Sequence, residues 1–336
     1  MGDSNRKSIK DIPPIKPQLK GDANISVDVD GLDCYRAIHG LPLAPPNSVD
    51  PTWTTGLRRA RELFAEFEIP ATFFIVGRDL ERPNHRQIAR QLVDDDHELA
   101  NHSYDHPYDL RRQPESEISY QLGATDRAIL EATGQKPVGF RTPGYNVSAE
   151  IIAFSRRQGH RYDASLFPCS SYWAAKALVM GWRAFQGQES RSDRTDPRTL
   201  LAPREPYFPR PLHFWKAAPT AKNYVEIPMT VFAGGTIPII GTSLHLIDAV
   251  RWERIWPILH RRFARFFSLE FHALDFLDAT DLHNVYGARA LLDRQPDLHI
   301  SWHNKAHRYR RVLHSICSTR QPITLAGATA GINEPG

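Results

Sequence analysis

Two histidines, His102 and His106, lie four residues apart and are the first candidates for chemistry in this sequence. Neutral imidazole is the commonest side-chain metal ligand near neutral pH. A catalytic site of the zinc type uses about three protein ligands and one open position, so a third ligand must come from elsewhere. The best candidates for it lie upstream, in the pair Asp28 and Asp30. A histidine pair at this spacing also arises by chance on surface turns, so it needs structural context.

Other polar residues that can do chemistry recur at the ends of predicted strands. Alternating or continuous apolar runs predict strands at residues 24–29, 71–76, 97–100, 138–140, 161–163, 224–232, 268–272 and 323–325. The candidates at or just past the ends of these strands are Asp28, Asp30, His102, His106, Arg141, Asp163 and His272. The C-terminal ends of parallel strands form the active-site rim of a barrel. The sequence therefore predicts that these residues meet at one metal site.

The elements between the strands are predicted helices. Apolar residues recur at helical spacing within 53–67 and 252–263, and further helices are predicted at 84–93, 118–129, 151–158 and 303–317. Alternation of strands and helices is typical of an α/β fold with a mainly parallel sheet. Residues 1–22 are expected to be a flexible leader, 31–51 a long proline-rich loop, 23–326 the folded domain and 327–336 a tail.

Composition limits the classes of function. A chain of 336 residues with 41% hydrophobic residues has room for a sizeable core. The net charge of +4 is interspersed along the chain and gives no case for nucleic acid as a partner. Three widely spaced cysteines fit a reducing compartment better than a disulfide framework. With no apolar run of about 18 residues and no signal-peptide pattern, the expected location is the cytoplasm.

An insert at about 169–222 interrupts the alternation, and within it residues 172–185 are almost entirely apolar. The two charges of this segment, Lys176 and Arg183, share one helical face. Such a helix can lie in a membrane interface, at the inner face of the membrane, and thereby make a peripheral contact. It can equally cover the barrel mouth or form an oligomer contact, because most apolar helical faces are core. The sequence leaves both alternatives open and does not give the oligomeric state.

Five motifs, in order along residues 25–325, resemble the polysaccharide deacetylase family, carbohydrate esterase family four with its NodB homology domain. They are the motifs at 26–30, 71–74, 102–106, 140–143 and 162–165. The resemblance implies a distorted (β/α) barrel of seven or eight mainly parallel strands. Its first motif, Asp28-Val29-Asp30, is similar to that of an intracellular branch with peptidoglycan-deacetylase-like and allantoinase-like enzymes.

The resemblance also implies roles for single residues. Asp30, His102 and His106 would hold one divalent metal, zinc before cobalt, iron or nickel. Asp28 would be the general base and Arg141 its partner. His272 would be the general acid, with Asp163 tuning it. Tyr145, His39 and Tyr35 are candidate substrate-binding residues.

Amide hydrolysis has requirements that suit this set of residues independently of any family. A divalent metal supplies an acidified water and a polarised carbonyl. Two titratable groups then divide the proton transfers, and their environments must push their pKa values apart. Asp28 and His272 are the predicted pair. A backbone N–H just after Pro143 is a further candidate donor to the oxyanion.

The chain departs from the family pattern at three places. Gly144 stands where the third motif usually has tyrosine, and no tryptophan follows Asp163 at the usual position. Glu270 precedes His272 by two residues, so the two share a face of a strand. Glu270 either sits beside His272 and raises its pKa or is a solvated edge charge.

The predicted function is removal of an N-acyl group, acetyl or formyl, from an amino sugar. The expected substrate is a carbohydrate or glycolipid, in particular a lipid-linked glycan precursor, because of the apolar segment 172–185. One alternative is an allantoinase-like hydrolase of a small non-sugar amide. A second alternative is an inactive carbohydrate- or lipid-binding module on the same fold.

Overall fold

The computed structural model describes residues 21–185, 195–218, 223–245, 247 and 249–333, apart from the side chains of 179, 182–185, 249 and 331–333. The predicted leader thus lies almost wholly outside the described residues. The strands are β1 Asp22–Val29, β2 Thr72–Ile75, β3 Glu98–Asn101, β4 Gly139–Phe140, β5 Tyr162–Asp163, β6 Val225–Glu226, β7 Val231–Phe232, β8 Ile237–Pro238, β9 Phe266–His272 and β10 Gln321–Pro322.

The helices alternate with these strands along most of the chain. They are α1 Leu32–His39, α2 Leu57–Ala65, α3 Pro83–Asp94, α4 Glu115–Thr133, α5 Ala149–Gln158, α6 Ser170–Phe185, α7 Gly241–Leu244, α8 Ala249–Arg262, α9 Ala288–Leu292, α10 Trp302–Cys317 and α11 Leu325–Asn333. A π-helical turn, Thr52–Gly56, leads directly into α2. Single 3-10 turns occupy several of the loops between these elements.

One parallel sheet forms the centre of the fold. Its strands follow the order β9-β1-β2-β3-β4-β5-β6, and β10 pairs with the first two residues of β1. Between β6 and β9 the sheet is closed by single contacts. Ser268 N–H donates to Thr230 Oγ1 at 2.9 Å, and Ile240 forms an isolated bridge with Glu270. This arrangement confirms the predicted distorted (β/α) barrel.

Strand β1 shows why the alternating pattern forms a central strand. Its residues from Ala23 to Val29 are all buried, because β2 and β9 flank it and helices cover the outer face. Ile25, Val27 and Val29 point into the main hydrophobic core, which they share with α2, α3, α8 and α10. The intervening Ser26 and Asp28 therefore face the barrel interior.

Three predicted elements differ from the structure. The segment 31–51 is not only a loop, because α1 begins after Gly31 and ends at His39, before Gly40, whose φ is +67°. The predicted strand 224–232 is divided into β6 and β7 around Pro228, and proline cannot donate to a strand ladder. The predicted strand 323–325 and the start of the predicted tail are replaced by α11, whose Leu325 and Ala328 are buried.

The predicted helix in the insert is α6, and its described side chains make contacts within the protein. The indole N–H of Trp173 donates to the Thr195 carbonyl at 3.0 Å. The Lys176 ammonium donates to the Gly144 carbonyl and to Asn146 Oδ1, each at 3.0 Å. This part of α6 therefore lies over the loop that follows β4. Among the described residues, we find no helix with the length and apolar character needed to cross a membrane.

Candidate active site

The ends of the parallel strands bring most of the predicted residues together. Asp28 is the penultimate residue of β1, and Asp30 directly follows that strand. His102 follows β3, Arg141 follows β4, and His272 is the last residue of β9. Four of these side chains are at most 5% exposed, whereas that of His272 is 23% exposed. The cluster is thus approached from the side of His272.

Asp30, His102 and His106 converge on one point. Asp30 Oδ1 lies 3.4 Å from His102 Nε2 and 3.2 Å from His106 Nε2. The loop between the histidines makes this convergence possible, because Ser103 and His106 both adopt positive φ angles, +64° and +56°. Non-glycine residues in this region carry strain, which is typical of functional sites.

The donor set fits a divalent metal. His102 Nδ1 lies 2.8 Å from the Arg141 carbonyl, so the ring donates there and its Nε2 presents a lone pair to the cluster. Asp30 Oδ1 and His106 Nε2 are buried without a hydrogen-bond partner among the described residues. Buried polar atoms left without partners call for a ligand. Three such donors with an open fourth position match a catalytic zinc-type site.

The charges of the cluster support the same conclusion. Burial disfavours the ionised form of Asp30, but His106 and His102 hold the pKa of this carboxyl well below its usual value. Burial would lower the pKa of His102, and the carboxylates of Asp28 and Asp30 outweigh it, so that this pKa is raised. The site therefore already attracts a positive charge, for which a proton and a metal cation compete.

Asp28 is held by Arg141. Arg141 Nη1 lies 2.5 Å from Asp28 Oδ1, and Arg141 also donates to the Ala164 carbonyl at 2.9 Å. The guanidinium stacks on Phe74, 4.0 Å from the ring centroid. The second carboxylate oxygen, Asp28 Oδ2, faces His102 Nε2 at 3.8 Å. Asp28 thus keeps one oxygen on Arg141 and turns the other toward the cluster.

Glu270 is the carboxylate beside His272. Its Oε1 lies 2.9 Å from His272 Nδ1, and its side chain is fully buried. Burial would lower the pKa of His272, but Glu270, with Asp30 further away, raises it well above the ordinary value. Glu270 is therefore no solvated edge charge. His272 Nε2 lies 3.9 Å from Asp30 Oδ2 and so faces the cluster.

Asp163 makes different contacts from those the sequence predicted. It lies in register with Glu226 on the neighbouring strand and accepts a hydrogen bond from Ser165 Oγ. Burial raises the pKa of Asp163 to about 6, and burial together with Asp163 raises that of Glu226 well above its usual value. The surroundings of both carboxyls thus favour the protonated form. The place beside His272 that was expected for Asp163 is taken by Glu270.

The three predicted substrate-binding residues are placed differently from one another. Tyr145 is buried against Phe167 and Tyr172, with a positive φ of +62°. Its backbone N–H already donates to the Thr142 carbonyl at 3.0 Å. Tyr35 lies edge-on to His272 with ring centroids 6.4 Å apart. His39 lies one helical turn beyond Tyr35 and contacts Gln295, so the structure does not bring it to the cluster.

Sequence reasoning did not single out Tyr108 or Glu226. Tyr108 is two residues after His106, and the two rings are 4.6 Å apart in an edge-to-face arrangement. Its position on the ligand loop was the available signal. Glu226 had no comparable signal, because only the pairing of β5 with β6 brings it to Asp163.

A cavity of about 640 Å³ lies beside the segment that follows β1. Gly31, which directly follows Asp30, lines it, and so does Arg78, whereas the side chains of Asp30, His102 and His106 are not part of its lining. Gly77, beside Arg78, donates its N–H to the Ser103 carbonyl at 3.0 Å, which ties this wall to the histidine loop. Carboxylate and guanidinium groups, including Asp79 and Arg82, give the cavity a polar lining.

Fold and site together define an α/β barrel protein with a candidate Asp-His-His metal centre, beside which lie Asp28, held by Arg141, and His272, in contact with Glu270. Residues 48–162 match the family described as polysaccharide deacetylase. A peptidoglycan deacetylase of Helicobacter pylori is 28% identical over 142 residues, which are 42% of this chain and 47% of that protein. The uncharacterized protein YlxY of Bacillus subtilis is 32% identical over 96 residues, 29% of each chain.

The chain thus spans less than half the length of these two relatives. A crystal structure described as a polysaccharide deacetylase of Mycobacterium smegmatis covers 94% of this chain, and 91% of that chain is matched, with a TM-score of 0.56 and 16% identity. At this identity the likeness establishes the fold alone. The match over residues 48–162 and these relatives support a similarity of this part of the chain to the polysaccharide deacetylase family.

Proposed function

We propose that this protein is a metal-dependent hydrolase that removes an N-acyl group from an amino sugar. One observation carries the proposal: Asp28 and His272, which are neighbours on adjacent strands, both face the donor set of Asp30, His102 and His106. The second oxygen of Asp28 faces the cluster, and so does Nε2 of His272. A carboxylate that can take a proton and a protonated imidazole that can give one, both beside one electrophilic centre, are what hydrolysis of an amide requires.

A metal held by Asp30, His102 and His106 would supply Lewis acidity toward water and the amide carbonyl. Asp28 Oδ2 takes the proton of the water that adds to the carbonyl carbon, while Arg141 keeps Oδ1 in place. When the carbon–nitrogen bond breaks, His272 Nε2 gives its proton to the leaving nitrogen. Glu270 keeps His272 protonated until that step. The products are a small carboxylate and a free amine.

Carbohydrate as the substrate class is supported by the similarity to the deacetylase family. A cavity lined by Gly31, the residue after Asp30, also presents the guanidinium groups of Arg78 and Arg82 and the carboxyl of Asp79, and sugar hydroxyls need both donors and acceptors. Its volume of about 640 Å³ is in the usual range of small-molecule sites.

The finer proposal, a lipid-linked glycan precursor, depends on α6. Trp173 and Lys176 are engaged within the protein, whereas Leu178 is 75% exposed. A peripheral membrane contact would have to use this outer face. Liposome flotation of the wild type and of a Leu178→Glu variant tests it. Recovery of both proteins in the soluble fraction would refute the membrane contact and leave hydrolysis untouched.

The central test of the proposal separates metal binding from the base. His102→Ala removes a ligand and is expected to abolish both metal binding and acetate or formate release from N-acylated amino sugars. Asp28→Asn removes the base and should retain the metal but lose turnover by about 10²–10⁴-fold. Metal content by mass spectrometry and product release are measured on the same samples.

An exposed histidine provides the matched control, since His283→Ala should change neither quantity. If Asp28→Asn retained most of the activity, the assignment of the base would be wrong. A wild-type protein that binds metal but hydrolyses no N-acyl sugar would support the inactive binding module instead.

A further inference from the structure

Tyr108 is fixed in place beside the candidate metal ligands. Its ring packs edge-to-face on His106, with centroids 4.6 Å apart and planes at 83°. Its backbone carbonyl accepts a hydrogen bond from Asn146 Nδ2 at 2.9 Å. The ring also meets the turn after β4, where a Cβ on Gly144 would lie 3.0 Å from Tyr108 Cδ1. The ring is therefore in contact with a candidate metal ligand and with that turn.

Gly144 leaves the space that the Tyr108 ring occupies. Its φ of +60° is in the region that glycine adopts without strain, and a side chain there would crowd the ring. Position 144, where the family pattern usually has tyrosine, is glycine in this chain, and the ring of Tyr108 from the histidine loop fills the space beside it. The phenol on this side of the site therefore comes from Tyr108.

The hydroxyl of Tyr108 is buried without a hydrogen-bond partner among the described residues, and so is that of Tyr35. Leaving a buried hydroxyl unpaired is destabilising, so two of them beside one cluster point to a ligand. A phenol carries its proton at neutral pH, so both hydroxyls can donate.

We propose that Tyr108 is a substrate-binding residue. Its hydroxyl, with that of Tyr35, donates hydrogen bonds to an oxygen of a small carboxylate or amide carbonyl over the Asp30, His102 and His106 cluster. The ligand has to be an oxygen acceptor, because both phenols offer their protons to it. This inference deepens the proposed function, since an acyl carbonyl and the released carboxylate are its substrate group and product. Donors aimed at such an oxygen stabilise the charge that develops on it during hydrolysis.

The test uses the metal-loaded full chain and acetate or formate as the probe. Tyr108→Phe removes only the hydroxyl, and calorimetric titration should show acetate binding weakened about tenfold. Affinity for the metal, measured by competition with a chelator, should stay within about twofold of wild type, because the phenol is not a ligand. In the hydrolysis assay, kcat should fall by at least the same factor with little change in KM.

Tyr120→Phe is the matched control, because Tyr120 is 47% exposed and lies outside the site. Tyr35→Phe is the second variant and carries the test if Tyr108→Phe does not fold. Acetate affinity within about twofold of wild type in the folded variants would overturn the inference. Because the binding measurement does not depend on turnover, a wild type that binds acetate but hydrolyses no amino sugar would refute the proposed function and leave this inference standing.

Discussion

Glu270→Gln tests whether the charge of this buried carboxylate controls the general acid. The substitution keeps the shape of the side chain and an oxygen that can accept from His272 Nδ1. It removes the negative charge that lies 2.9 Å from the imidazole. The neighbouring carboxylate of Asp30 is further from the ring, at 3.9 Å from Nε2, and remains. Any change in the titration of His272 can therefore be assigned to Glu270.

The size of the effect follows from the type of contact. A hydrogen bond between charged partners contributes about 1.5–3 kcal/mol, and one pKa unit corresponds to about 1.4 kcal/mol, so the pKa of His272 should fall by about 1–2 units. Glu270 raises this pKa in the wild type, so its loss lowers the protonated fraction above neutral pH. His272 must be protonated to donate its proton. The alkaline limb of the pH profile of kcat/KM should therefore move to lower pH by the same number of pH units.

The assay is the pH dependence of product release by the metal-loaded wild type and variant. Both proteins carry the same metal, so its effect on His272 cancels in the comparison. Glu253→Gln, at an ion pair whose Glu253 side chain is 53% exposed, should leave the limb in place. If Glu270→Gln shifted the alkaline limb by less than about half a unit, the carboxylate would have no role in tuning His272.

Two further predictions concern Arg141, which binds Asp28, and Glu226, which is in register with Asp163. Arg141→Met leaves the Asp28 carboxylate buried without its partner, which should cost about 3–5 kcal/mol, and adding Asp28→Asn should restore most of the loss. Urea unfolding with a chelator present measures this, and a cost below about 1 kcal/mol would contradict it. Glu226 has a pKa raised above its unfolded value, so stability should fall as pH rises between the two values. Glu226→Gln should reduce the fall in unfolding free energy between about pH 5 and about pH 8, and an unchanged fall would show that the pKa of Glu226 is not raised in the folded protein.

The parts of the fold that sequence reasoning predicted depend on local patterns. The alternation of apolar and polar residues at 24–29 identifies β1. Because the C-terminal ends of parallel strands lie at the same edge of a sheet, Asp28 and Asp30 are then expected at the same edge as His102. The apolar spacing of Leu57 and Phe64 likewise identifies α2, whose buried side faces the core. In each case, the information lies within a few residues along the chain. Geometry at the cluster then follows from the strand order.

The remainder depends on contacts between distant segments. Periodicity places Glu270 on the same face as His272, but only the bridge to Ile240 and the covering segments decide that this face is buried. The pairing of Asp163 with Glu226 depends on the register of two strands that have only two residues each. A family pattern gave Asp163 a role by analogy with other chains. In this chain the carboxylate in contact with His272 is Glu270 of β9.

The proposed base, Asp28, and the proposed acid, His272, are held in physically different ways. Arg141 binds Asp28 through its guanidinium, and its carbonyl accepts the Nδ1 proton of His102. A displacement of this one residue therefore moves the base and a candidate metal ligand together, so the two cannot be adjusted independently. The acid takes its partner from its own strand, since Glu270 and His272 are two residues apart in β9. The pKa of the acid can thus change without disturbing the metal ligands, whereas the orientation of the base depends on the same residue that orients a metal ligand.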